Sequence, residues 1–502
     1  MTISHFSIPE AKDWFRNNRT LLLIIIAVTV IEMGIFKYFY PFPNFLPEST
    51  SYIDAASNNQ SLNSWPIGYS KFLRLYNLFT ESHLTLILFQ FAFLQVNLII
   101  FLFTLSFMLR LNKRINWILF SVNILNPILL HLSNFVSSDA IFVGLSLFWF
   151  SSLLWVLVHP KLKLLCLHSL ALFLAFSFRY YALYYPIISI FVLALVRSKW
   201  AFKLKGILLF AIPILWYINH TISQYKKETG TTQFSSFGGW QLAANALYAY
   251  SHSPLDSDYV VPSRFRTLHH LVNQHMTWLN QYKVRPDSRI GIYYQWDDHA
   301  PLKLFMYHYW QNDSITNNFK RYAVMGDLYA RYGSWIIRRH PVSYLKYFVI
   351  PNLIDYYVPP TEFMGYYNMG FDSVSPTIVK WFDLKSNVVT NYYNSKKILL
   401  PEFFTILIPI TNVVFLASLL AVLSSKTFTR ENSPIKGMLQ VTLLVWAATM
   451  AFSAFTAYII LRYEIFAMIL TLTFSIICVS FLIEKLNGAV ENHSTRIDDQ
   501  LT

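Results

Sequence analysis

The chain has 502 residues, of which 55% are hydrophobic, 18% aromatic and only 13% charged. Soluble domains carry about 25% charged residues, so this balance, with a mean hydropathy of +0.39, excludes an ordinary soluble enzyme and points to a membrane protein. The net charge of +14 does not describe a nucleic-acid interface, because the basic residues sit in short clusters between hydrophobic runs and form no patch interleaved with aromatics.

At the N-terminus Lys12, Arg16 and Arg19 precede the apolar run Leu21–Ile31, as in a signal peptide. No small-residue cleavage site follows and the run continues through Glu32 to Tyr40, which predicts a retained first transmembrane helix. Further windows long enough to cross ~30 Å of hydrocarbon follow near 84–109, 115–132, 140–158, 164–178, 181–196, 206–219, 399–424, 438–459 and 464–484. With the first, near 20–40, they make about ten spans, two of them short. Arg110, Lys113 and Arg114, then Lys161 and Lys163, then Arg197, Lys199, Lys203 and Lys205 all fall on the side of the N-terminus, as do Lys426, Arg430, Lys436 and Lys485. The positive-inside rule makes that side cytoplasmic and places both termini there. The expected fold class is an all-α polytopic membrane protein with a small, mostly helical extracytoplasmic domain. The expected divisions are a membrane module over 1–219, an outer region over 220–398, C-terminal spans over 399–486 and a disordered tail over 487–502.

Two outer segments stand out. The first is the loop Pro41–His83, and the second is the long polar region, rich in Tyr, Trp, His, Asn and Asp, after the seventh window. Cytoplasmic loops are short, and no Gly-rich phosphate loop occurs anywhere. The two cysteines, Cys166 and Cys478, lie inside apolar runs and offer neither a disulfide framework nor metal-ligand spacing.

In the first outer loop Glu48, Tyr52 and Ala55 recur at i, i+4 and i+7 and share one face of a short helix. Asp54 falls about 120° away on that wheel. A carboxylate at a helix start also serves simply as a cap. Trp65-Pro66-Ile67-Gly68-Tyr69 then punctuates the chain before an amphipathic piece over Tyr69–Leu78. Asp139 begins the fourth span, Arg179-Tyr180 forms the turn after the fifth, and Arg462-Tyr463 heads the last. Charged groups at an apolar boundary face a polar cavity or each other. The plain alternative is a helix-bracing ion pair such as Asp139 with Arg179; convergence of several helix ends on one outer site is the better account of the set. Such a set suits inverting glycosyl transfer, which needs a carboxylate to take the acceptor's proton and cations to offset charge on a departing phosphate. No nucleotide sugars are supplied outside the cytoplasm, so the donor would be anchored in the bilayer.

The acidic residue followed by Tyr52 and the Trp65–Tyr69 run, with Ser138-Asp139, Arg179-Tyr180 and the later Pro186, His340-Pro341 with Tyr344-Leu345, and Arg462-Tyr463, resembles the bacterial GT-C superfamily of integral-membrane glycosyltransferases. Its members include protein O-mannosyltransferases and aminoarabinose transferases. The resemblance covers the membrane part of the chain well and 220–330 poorly. It implies residence in the bacterial cytoplasmic (inner) membrane, a polyprenyl-phosphate-linked sugar donor, and an extracytoplasmic glycan, lipid or protein acceptor. The superfamily's first-loop catalytic residue is usually Asp in a Pro-Asp-x-x-x-Tyr pattern, which puts Glu48 at that position and leaves Asp54 as its rival. Tyr52, Tyr69, Asp139, Arg179, Tyr180, Arg462 and Tyr463 would then contact substrate. Some members use a divalent cation, and no ligand set for one is read here.

Other signals are discounted. Asp256-Ser257-Asp258 matches a metal–nucleotide motif of soluble transferases but lies in a turn on the wrong side of the membrane. Asp297-Asp298-His299 and the trio His269, His270 and His275 lack a spacing that would share one helix face. Glu32 and Lys37 read as residues that snorkel or pair near an interface. Two alternative functions are a lipid-linked-sugar transporter, which predicts internal symmetry absent from this sequence, and a glycan polymerase or ligase, which Arg331, Arg338 and Arg339 keep open.

Overall fold

A computed structural model describes the backbone of residues 8–289, 291–311, 318–425 and 434–501. Among these residues the regular structure is helical throughout, with only isolated β-bridges such as Asn44 with Phe135. Among the described residues eight helices are long and apolar enough to cross a membrane: Arg19–Phe39, His83–Leu109, Lys113–Ser133, Asp139–Val158, Trp200–Thr229, Leu400–Leu423, Lys436–Thr456 and Leu461–Leu486. Two shorter apolar helices, Leu162–Phe178 and Tyr180–Leu195, coincide with the fifth and sixth windows, so every window of the sequence corresponds to a helix. The chain is an all-α polytopic membrane protein.

Departures from the expected boundaries have local causes. The third span is broken where Asn126 caps a new helix with its side chain and Pro127 occupies the first turn. The seventh helix begins at Trp200, six residues before its window, and runs through the expected 219/220 division to Thr229, where Gly230 ends it with φ of +78°. The last helix continues to Leu501, through the stretch for which the sequence predicts a disordered tail.

The main core runs through the spans and the loop Pro41–His83, while a second core belongs to the segment between the Trp200–Thr229 and Leu400–Leu423 helices, called the outer region after its expected side of the membrane. There helices Ser236–Tyr250 and Asn318–Arg339 pack backbone to backbone: a Cβ at Gly239 would collide with the carbonyl of Gly326. Trp240 stacks on Tyr322 at 4.6 Å beside that crossing. The outer core is tied to the spans by Tyr344, which donates to the Phe455 carbonyl at 3.0 Å, and by Asn352, which donates to Ala457 at 3.0 Å.

The first-loop helix, Pro47–Ser57, is held by its N-terminus. Ser49 accepts from the Leu46 amide at 2.8 Å and donates to the Val136 carbonyl at 2.7 Å, which seats the loop on the approach to the fourth span. Gly68 lies so close to the Ser177 carbonyl that a Cβ would not fit, so the Trp65–Tyr69 run is pressed onto the end of the fifth span beside Arg179.

Candidate functional site

Four chain segments deliver charge to one buried point at a common end of the bundle. Asp139 starts its span and is 1% exposed; Ser137 donates to it at 2.8 Å. Arg179 follows the Leu162–Phe178 helix and forms an ion pair with Asp139. Arg462, 3% exposed at the head of the last span, lies 3.3 Å from Asp139 through Nη1, and the same atom pairs with Glu48. Glu48, 5% exposed, projects from the first-loop helix.

Tyr463 packs between the two cations. Arg462 donates to its hydroxyl at 3.0 Å, and both guanidinium carbons lie over its ring, Arg179 at 4.6 Å and Arg462 at 4.7 Å. Both distances are those of a cation–π contact.

The remaining predicted residues divide. Tyr52 shares the buried face with Glu48 and its hydroxyl lies 3.2 Å from Ser138, one residue before Asp139. Tyr69 is buried against Tyr52 but spends its hydroxyl on Gln90 at 2.7 Å, and Gln90 in turn donates to the Ser133 and Phe135 carbonyls. It braces the loop from one shell out. Tyr180 faces Phe234, at 4.5 Å, and the neighbouring Tyr181 is the turn residue whose ring meets Tyr463, at 5.3 Å. Asp54 is exposed on the far side of its helix, where Asn58 donates to it at 3.0 Å. Asp54 lines a separate polar groove of about 640 Å³ with Arg74, Glu81 and Lys380. The structure brings Glu48, Asp139, Arg179, Arg462 and Tyr463 together, and leaves Asp54 outside.

One member of the cluster is absent from the sequence reading. Glu362, in a 3₁₀ turn after Pro359-Pro360, lies with Oε2 3.7 Å from Arg462 Nε, and its side chain is 8% exposed. It is carried there by the backbone, since the Leu461 amide donates to the Pro360 carbonyl at 2.9 Å. Neither of its oxygens makes a hydrogen bond of good geometry, although the Phe363 backbone and Arg462 both act on them. Burial pushes its carboxyl up to about 7, Arg462 pulls it back and Glu48 adds to the rise. The cluster thus sets three carboxylates, Glu48, Asp139 and Glu362, against two guanidinium groups. Glu464, two residues after Arg462, is also buried, at 2% exposure, and is also missing from the sequence reading.

The discounted motifs have other partners. Asp256 accepts from His340 at 2.7 Å, Asp258 pairs with His270 at 2.8 Å, and Arg331 pairs with Asp327 one helical turn away. His269 meets Tyr332 at 2.8 Å and His275 meets Tyr293 at 3.1 Å, so the three histidines face three different ways. Lys37 donates to Asn134 at 3.1 Å. Among the described residues no group of three or more His, Cys, Asp or Glu is placed to hold a metal ion.

No protein-family model matches this chain, and no curated protein matches it. Among solved structures, the chain is similar to the crystal structure of ArnT from Cupriavidus metallidurans bound to undecaprenyl phosphate. The identity is 12% and the TM-score 0.32, over 92% of this chain and 78% of that one.

Proposed function

We propose that this protein is a membrane glycosyltransferase that moves a sugar from a polyprenyl-phosphate donor to a hydroxyl-bearing acceptor, with inversion, on the extracytoplasmic side of the bacterial cytoplasmic membrane. The observation that carries the proposal is the buried cluster itself. Placing five ionisable side chains at the end of an apolar bundle is costly, and a pair of well-packed hydrophobic residues would hold the helices at least as well. Its composition also suits the reaction, since it sets carboxylates that can take a proton beside cations that can hold a phosphate.

In this mechanism the donor phosphate enters from the lipid and binds Arg179 and Arg462, whose forked donors fit phosphate oxygens. Arg462 now holds Glu48, so phosphate binding would exchange partners and release the Glu48 carboxylate as the donor arrives. The acceptor oxygen then attacks the anomeric carbon from the face opposite the phosphate. The carbon–oxygen bond to the phosphate breaks with its electron pair going to phosphate, and the hydroxyl proton goes to Glu48. The guanidinium groups offset the charge gained by the leaving group. Tyr463 packs against both cations and Tyr52 braces the Glu48 face.

The test is chemical. Lipids of cells lacking the protein should contain a polyprenyl-phosphate-linked sugar that wild-type chain clears and Glu48→Gln chain does not. Absence of any such lipid, together with no binding of polyprenyl phosphate by the purified protein, would remove the proposal. The orientation is checked separately, by impermeant thiol labelling from outside: a cysteine at exposed Asn280 should react and one at exposed Lys163 should not.

A further inference from the structure

Beside the charged cluster, sharing Glu362 with it, lies an open cavity of about 480 Å³. Its wall is largely apolar, with Ile292, Phe363, Met369 and Ile460, and its charged contributors are Asp287, Arg289 and Glu362. That size lies within the range of small-molecule sites, which pair an apolar lining with a few placed polar groups. Residues of the outer region and of the turn before the last span build it. Ile460, the residue before that span, is the lining residue nearest to it in sequence. A lipid tail would enter between spans, so the cavity is disposed toward a ligand arriving from the aqueous side.

Glu362 is the feature that asks for a ligand. Its carboxyl is more than nine-tenths buried, makes no hydrogen bond of good geometry and lines the cavity. Its backbone is held in the left-handed region, at φ of +44°, which a non-glycine residue seldom adopts without being held there. Leaving a buried carboxyl without hydrogen bonds costs free energy that a bound hydroxyl would return. Arg289, also in the lining, is held by Asp355 at 2.8 Å through Nε while its side chain remains half exposed.

We infer that this cavity is the acceptor subsite and takes a sugar or similar polyol, with Glu362 binding the acceptor hydroxyl next to the reacting centre. The inference rests on the transferase reading above. An apolar ring face would lie on Phe363 and Ile292 while hydroxyls reach Glu362 and Arg289. Contact of Glu362 with Arg462 links a filled acceptor site to the cation that the donor phosphate would occupy.

The experiment uses the full-length protein in detergent, a synthetic polyprenyl-phosphate hexose as donor, and an envelope extract from cells lacking the protein as acceptor pool. Transfer is measured against the amount of extract for wild type, Glu362→Gln and the cavity-filling Ile292→Trp. Both variants should raise the half-saturating amount of extract by about tenfold or more, with the rate at saturating extract falling less than about threefold, the pattern of lost acceptor binding. A fall in the saturated rate with an unchanged half-saturating amount, in both variants, would overturn the acceptor assignment, and so would no change in either quantity. A wild-type chain that binds the donor lipid but never cleaves it, with any extract, would instead sink the transferase reading, and the subsite assignment with it.

Discussion

Asp139 and Asp256 are both carboxylates that each meet two basic side chains, and they differ in how far those partners are buried and in the charge balance around them. Asp256 pairs with His340 and, at 3.4 Å, with Arg339, whose side chain is 49% exposed. Asp139 meets Arg179 and Arg462, which are 11% and 3% exposed, in a cluster with one more carboxylate than it has guanidinium groups. The Arg339 arm of the first arrangement is half in water, and a pair of that kind contributes little and is screened by salt. The second keeps charge away from water at the edge of a membrane, where only a function or a specificity requirement repays the desolvation. Residue types alone do not separate the two; burial and charge balance do.

The comparison breaks most visibly at Arg462. Arg462→Ala would leave Glu48, Asp139 and Glu362 buried with Arg179 alone, and losing one partner of a buried pair costs about 3–5 kcal/mol. The variant should insert poorly or melt much earlier in detergent, and should not bind polyprenyl phosphate. Arg462→Lys should regain most of the stability but only part of the binding, because the planar fork is lost. A well-folded Arg462→Ala chain that binds donor as wild type would return the cluster to a structural role.

Glu48→Gln comes next. It keeps shape and removes the base, so transfer should fall by at least ~10²-fold while insertion and donor binding persist. Asp54→Asn should stay close to wild type, since Asp54 is exposed and hydrogen-bonded on the other side of the helix. The reverse pattern would make Asp54 the base and the cluster a bystander.

Why the sequence reveals some of this and hides the rest is physical. The ten windows are legible because a lipid-facing helix must be apolar over its whole length. Asp139, Arg179 and Arg462 are legible because a charge at the end of such a run is expensive wherever it points. Periodicity separates Glu48 from Asp54, and the structure places their side chains on the buried and exposed faces accordingly. Glu362 was not legible. It lies in a polar stretch, where one more carboxylate attracts no notice, and its place beside Arg462 depends on a contact between Pro360 and Leu461 across about a hundred residues of chain. The stiff Pro359-Pro360 pair ahead of it was the available signal. At the Arg179 turn the sequence pattern points to Tyr180, whereas the 3₁₀ geometry turns Tyr181 toward the cluster.

Glu362 gives a smaller, pH-dependent effect. Its carboxyl is raised from 4.5 to about 7 in the folded protein, so the folded state holds a proton that the unfolded chain has already released. Stability should therefore be lost as pH rises from about 4.5 to about 7, by about 1 kcal/mol per pH unit within that window, and level off above it. Comparing melting temperatures of wild type and Glu362→Gln across pH 5 to 8 isolates this contribution; identical profiles would mean that Glu362 is ionised throughout.

The smallest effect belongs to Asp256, and its size decides whether the two clusters really differ in kind. Arg339→Ala removes a half-exposed partner 3.4 Å from Asp256, while His340 keeps its 2.7 Å contact and the Tyr250 hydroxyl still accepts from the Asp256 amide at 2.8 Å. The expected loss is at most about 1 kcal/mol, shrinking further at high salt because exposed pairs are screened. Asp256→Asn should cost somewhat more, since the Asp256 side chain is mostly buried and also serves His340. Neither variant should alter transfer, because the pair belongs to the outer core and shares no contact with Glu48, Asp139 or Arg462 among the described residues. Measuring transfer for Asp256→Asn with and without added divalent cation also tests the Asp256-Ser257-Asp258 string as a metal motif. A loss of transfer that added cation restores would show that the outer cluster takes part in the chemistry, and the contrast drawn from burial and charge balance would fail.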